Sequence, residues 1–161
     1  HDFRLYMDYL EDLGAPQIGV TGISLGGFTT SLLAAVEARL AFAIPNVPLA
    51  SILDLILEWS PASEFIKTGL RLAGMDIREA RHVMAASCPL TYPPRLPKER
   101  LMIVAGAGDR FAPPKHSRLL WDHWDRPNLH WFPGNHLIHL DQGKYLKEMA
   151  SFMHRIGFDR A

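Results

Sequence analysis

Apolar positions along this chain switch between two periods. Phe3, Tyr6, Tyr9, Leu10 and Leu13 recur at helical spacing, and Gly14 follows as a stop. They predict an opening helix with a core face. Residues 18–21, within a strand-like stretch from 17 to 21, form a short apolar run that reads as a buried strand. Residues 27–38 read as a helix whose inner face is Leu32, Leu33 and Val36. A second short strand is expected over 41–44, stopped by Pro45, a third over 101–105 and a fourth over 129–132. Helical runs from 115 to 124 and from 142 to 156 follow the last two strands. Strands alternating with helices predict an α/β fold, a parallel sheet of about four strands flanked by helices.

Residues 47–100 break that alternation and are too many for a loop. An apolar helix is expected over 49–59. Ser60-Pro61 reads as a cap followed by proline in the first turn of a second helix, which carries Phe65, Ile66, Leu70 and Leu72 and ends near Gly74. Asp76 with Glu79 three residues later is a capping-box pattern that starts a third helix. Pro89, Pro93, Pro94 and Pro97 then make a stiff return. The simplest reading of 47–100 is a helical cap inserted in a domain that spans 1–161. The alternative is an insertion that packs on the side of the fold.

The chemistry begins at Gly22-Ile23-Ser24-Leu25-Gly26, placed between the first strand and the helix after it. A serine between small residues on a sharp strand-to-helix turn is held out as an exposed nucleophile. Gly22 and Gly26 are expected to be glycine because neighbouring backbones come close there. The helix aims its first amide N–H groups at whatever sits over the serine.

A serine hydroxyl attacks poorly until a base takes its proton, and the base is usually a histidine held by a carboxylate. Asp109 fits the carboxylate: it follows the third strand in Gly106-Ala107-Gly108-Asp109, 85 residues after Ser24. His136 fits the base: it follows the fourth strand in Pro133-Gly134-Asn135-His136, 27 residues after Asp109. His139 is a rival base three residues on. The His136–His139 pair also has metal-ligand spacing, but no glutamate follows the first histidine and no other ligand cluster supports it, so no metal is expected. His82, in the insertion, is a candidate substrate contact or a surface residue.

Composition narrows the partners. Lys plus Arg and Asp plus Glu are both 17, so nothing marks a nucleic-acid partner or an acidic membrane surface. Hydrophobic residues make up 48%, enough for a core. The single Cys88 excludes an internal disulfide and reads as a small half-buried side chain. No apolar run reaches membrane-spanning length, and the N-terminus lacks a signal pattern, so a cytoplasmic location is expected.

Together the strings G-I-S-L-G-G, A-G-A-G-D-R-F-A-P-P and F-P-G-N-H resemble the nucleophile elbow, acid loop and histidine loop of the α/β-hydrolase superfamily. The resemblance covers nearly the whole chain. It implies Ser24 as nucleophile, Asp109 as acid and His136 as base. It implies the backbone N–H of Leu25 as one oxyanion donor, and no cofactor. It further implies a small-molecule acyl substrate, an ester by default because the insertion is rich in Leu and Ile, with an amide or peptide as the alternative. The superfamily sheet normally has more strands than the four seen here, which resemble its last four. Its second oxyanion donor comes from a loop after an earlier strand, to which no residue here corresponds. The expectation is a truncated copy, a fragment, or a chain that self-associates or is completed by an N-terminal segment. The rival to an enzyme is a non-catalytic remnant that acts as a binding or assembly module.

Overall fold

The computed structural model describes residues 2–158, so the ends of the expected 1–161 domain, His1 included, lie outside the described residues. Four strands, β1 (Val20–Ile23), β2 (Ala43–Asn46), β3 (Met102–Gly106) and β4 (Asn128–Phe132), form one sheet in the order β1-β2-β3-β4. Every neighbouring pair is parallel. Among the described residues seven α-helices accompany them: α1 (Asp2–Asp12), α2 (Leu25–Val36), α3 (Ile52–Glu58), α4 (Ala62–Leu72), α5 (Ile77–Met84), α6 (Pro114–His123) and α7 (Gln142–Arg155). This is the expected α/β alternation, with the long insertion between β2 and β3.

The central strands are apolar except for the buried Asn46 at the end of β2, because both faces are covered. On one face Ala43, Leu101 and Ile103 pack with Ala34 of α2 and with Leu120 and the adjoining Trp124 of α6. On the other, Ile44, Met102 and Val104 pack with Phe132, and with Tyr145 and Phe152 of α7. Phe152 also meets Phe42 edge-on at 6.3 Å.

Pro45 does not stop the second strand. β2 runs through it, and Pro45 pairs with Gly22 of β1. Alternation along a strand explains this. Phe42 and Asn46 accept from β1 and its turn (Val20 N–H at 3.1 Å, Ser24 N–H at 3.0 Å), so the odd residues face β3, where Val47 N–H donates to Val104 O at 2.8 Å. The N–H that proline lacks is therefore missing from the β2–β3 side alone. That ladder is thin: it holds the Asn46–Val104 pair and an isolated Ala43–Leu101 bridge.

The opening helix departs from expectation in its packing. Gly14, at φ 84°, follows it as a turn residue. Yet Phe3, Tyr6, Tyr9 and Leu13 are all more than half exposed, and Met7 is the buried residue of α1. Besides the Met7 core contact, ion pairs tie the helix to the segment after α2. Arg4 reaches the buried Glu37 at 3.2 Å, and Arg39 joins Glu37 to Asp8 and Glu11. The Arg39 hydrogen bonds, aided by the charge of Arg4, hold the Glu37 carboxyl below the usual glutamate range.

In the insertion, α3 is shorter than the apolar run suggests, because Ser51 caps it by accepting from Asp54 N–H at 3.2 Å. Leu49 and Ala50 are buried but precede the helix. Pro61, not Ser60, occupies the cap position of α4. The Asp76–Glu79 capping box is complete in both directions. Cys88 is half-buried, and its thiol donates to Ala50 O at 3.3 Å. Among the described residues no helix is long and apolar enough to cross a membrane.

Candidate active site

Ser24 sits between β1 and α2 with φ 58° and ψ −115°. A serine there is strained by about 1–3 kcal/mol, which the surrounding contacts must hold. Its N–H donates to Asn46 O at 3.0 Å, tying the turn to the end of β2. It occupies the cap position of α2, yet its side chain makes no cap bond and points elsewhere.

The close approach that demands glycine falls on Gly22 and Gly27. A Cβ on Gly22 would lie 2.4 Å from Gly26 O, and one on Gly27 would lie 2.8 Å from Asn46 O. Gly26 differs from expectation. No atom lies within 4 Å of where its Cβ would be, so it contributes its carbonyl to the crowding rather than its missing side chain.

The structure brings Ser24, His136 and Asp109 into one hydrogen-bonded chain. His136 Nδ1 lies 2.7 Å from Asp109 Oδ2, and His136 Nε2 lies 2.8 Å from Ser24 Oγ. An ionised carboxylate only accepts, so Nδ1 carries the imidazole proton and Nε2 accepts from the serine hydroxyl. The carboxylate is anchored by its own loop: Oδ1 accepts from Phe111 N–H and Ala112 N–H, both at 2.8 Å. Asp109 is 3% exposed, so this pairing is shielded from water.

The Asp109 loop and the His136 loop are fastened together at the ends of β3 and β4. Ala107 N–H donates to Phe132 O at 3.0 Å and Gly108 N–H to Gly134 O at 2.8 Å. Asn135 Oδ1 accepts from Leu137 and Ile138 N–H, which folds the turn that carries His136.

His139 supports this turn and lies outside the hydrogen-bonded chain. Its Nε2 is 3.2 Å from His136 O and its Nδ1 is 3.1 Å from Tyr145 Oη. A carbonyl only accepts, so His139 Nε2 donates and Nδ1 accepts from the tyrosine. The N–H of Leu25 opens α2, where a helix leaves its first amides without internal partners. His82 is exposed on α5.

Three further residues have no role that sequence spacing predicts. Phe111 lies tilted against His136 with ring centres 5.7 Å apart, and Trp59 meets Phe111 edge-on at 5.6 Å. His116 is buried on α6, where its Nδ1 accepts from Ala50 N–H at 3.2 Å. Burial pushes its pKa below the usual histidine value, against the pull of Glu58. A buried histidine facing an inserted segment cannot be told from a surface one by spacing.

A parallel sheet covered on both faces, with a serine on its first strand-to-helix turn, defines a partial α/β-hydrolase fold. Solved structures agree on the fold. A puromycin hydrolase mutant complexed with PGG superposes with a TM-score of 0.70 at 15% identity, covering 94% of this chain and 24% of that one. An uncomplexed acylaminoacyl peptidase from Pyrococcus horikoshii gives a TM-score of 0.64 at 18% identity, covering 88% of this chain and 24% of that one.

Residues 3–142 match the family Serine hydrolase (FSH1), and the chain belongs to it. Two Mycobacterium tuberculosis proteins are each 34% identical to it over 123 residues: Uncharacterized protein MT2702 of strain CDC 1551 / Oshkosh and Uncharacterized protein Rv2627c of strain ATCC 25618 / H37Rv. That stretch is 74% of this chain and 28% of each relative, so the chain spans under a third of their length.

Proposed function

We propose that this chain carries the acyl-transfer centre of a serine hydrolase that cleaves an ester or related acyl bond. The observation behind the reading is the unbroken hydrogen-bond chain from Asp109 through His136 to Ser24. His136 Nε2 takes the hydroxyl proton as Ser24 Oγ attacks the carbonyl carbon. Asp109 stabilises the imidazolium and holds Nδ1–H in place. The carbonyl oxygen becomes an oxyanion facing Leu25 N–H at the positive end of α2. The leaving group departs with the proton from His136, and water then releases the acyl group from Ser24 by the same steps in reverse.

Leu25 N–H is the one oxyanion donor this reading assigns. Losing one donor of a pair typically costs about 10²–10³ in kcat. The chain by itself is therefore expected to turn over slowly, and faster when a self-associated copy or a complementing segment adds a donor. Residues 47–100 act in this reading as a cap, because α3 lies against the acid loop: Leu55 and Ile52 pack with Phe28 and Ala112. An amide substrate is the runner-up reading, since the fold is shared with an acylaminoacyl peptidase.

A fluorophosphonate probe is expected to label Ser24, and Ser24→Ala to abolish the labelling. Equal labelling of both proteins would refute the nucleophile assignment, and labelling of neither would favour a non-catalytic binding module.

A further inference from the structure

His136 is flanked by an aromatic ring that the hydrogen-bond chain does not use. Phe111 lies tilted against the imidazole, at an interplanar angle of 37° with centres 5.7 Å apart. Its backbone is fixed, because its N–H is bonded to the buried Asp109 carboxylate. Trp59, at the end of α3, packs edge-on against the other part of the ring at 81°. Both rings still present surface to solvent, Phe111 at 51% and Trp59 at 39% exposure. An anchored aromatic pair left this open beside a base has apolar area to give to a ligand.

The side of the substrate that meets these rings follows from the proton's route. Ser24 Oγ bonds to the carbonyl carbon, and its proton passes to His136 Nε2. The bond from that carbon to the leaving heteroatom then breaks, the electron pair departs with the heteroatom, and Nε2 returns the proton to it. The heteroatom must come within hydrogen-bond reach of Nε2. The oxyanion faces away, toward Leu25 N–H. A substituent one or two bonds beyond the heteroatom thus lies against what packs on the imidazole.

We propose that Phe111 and Trp59 form the leaving-group wall of the site, selecting acyl substrates whose departing alcohol, thiol or amine bears an aromatic or bulky apolar substituent. The inference rests on Ser24 acting as the nucleophile. It assigns Trp59, from the insertion, a specificity role in the cap.

The test compares S-benzyl and S-methyl thioesters of one acid by kcat/KM. The same two thiols serve as leaving groups on a phosphonothioate, where the rate of Ser24 modification needs no turnover. The wild-type protein is expected to favour the benzyl leaving group by about tenfold or more. Phe111→Ala and Trp59→Ala, the latter not itself part of the Asp109 loop, should each bring the ratio to within about threefold of unity. Phe111→Tyr should keep it. Selectivity for acyl chain length, at constant leaving group, should not change in Trp59→Ala. A wild type without benzyl preference, a ratio unmoved in both alanine variants, or a change confined to acyl-chain selectivity overturns the inference alone. A Ser24 that reacts with neither phosphonothioate nor fluorophosphonate overturns the nucleophile reading and this inference with it.

Discussion

The two sides of Ser24 are built to different standards. Toward β3 and β4 every polar atom that matters has a partner. Both Asp109 oxygens are bonded, His136 has both nitrogens engaged, and His139 braces the turn from behind. Toward β1 the surface is apolar and open, with Ile23 at 56% and Leu25 at 61% exposure, next to a sheet edge without a neighbouring strand among the described residues. The opening helix continues this character with its exposed Phe3, Tyr6 and Tyr9. The difference teaches that the two parts of the proposed site are separable in construction. The Asp109–His136 pair is held within the last two strands, whereas Ser24 and Leu25 N–H lie on the open side.

The contrast is broken most severely through the base. His136→Ala is expected to lower kcat/KM by about 10⁴–10⁶-fold, and His139→Ala by about tenfold or less, in steady-state assays. If His139→Ala proves the more damaging, the finished side has been misassigned. Asp109→Asn comes next, with an expected loss of about 10⁴-fold while the circular dichroism spectrum is retained. Gly27→Ala tests the crowding beneath the turn and should destabilise by about 1–3 kcal/mol in denaturant titration, since its Cβ would meet Asn46 O at 2.8 Å.

A smaller effect concerns pH. His116 has a folded pKa below its unfolded value of 6.5, so the unfolded chain protonates first as pH falls. Its contribution to stability is full above that value and diminishes below it, until the folded pKa is reached. Denaturant midpoints measured at about pH 7 and about pH 5 should differ less in His116→Gln than in the wild type. The smallest effects belong to the open side. Leu13→Gln and Ile23→Thr should shift the stability of this chain by about 0.5 kcal/mol or less. A larger loss would mean that another polypeptide surface covers them in solution.

Much of this arrangement is legible in the amino-acid sequence. Alternating apolar runs locate all four strands within a few residues, and Asp76 with Glu79 marks a helix start correctly because that signal is local. Ser24, Asp109 and His136 stand out because each follows a strand, and a parallel sheet gathers the ends of its strands. Pro45 misleads because a proline's cost depends on which neighbour its missing N–H would have faced, and that is a property of register. The stripe from Phe3 to Leu13 misleads because periodicity reports an apolar face without saying what covers it. Phe111 and Trp59 are silent because their meeting joins an insertion to a loop 52 residues downstream (111 − 59).

The proline in β2 has a mechanical consequence. Ser24 is fixed to β2 through Asn46, whereas Asp109 and His136 are fixed to each other across the ends of β3 and β4. The boundary between those two bodies is the sparsely bonded β2–β3 seam. Flexure of the sheet will concentrate along that line, so the distance it modulates is the one between serine and histidine, while the histidine and its carboxylate travel as a unit.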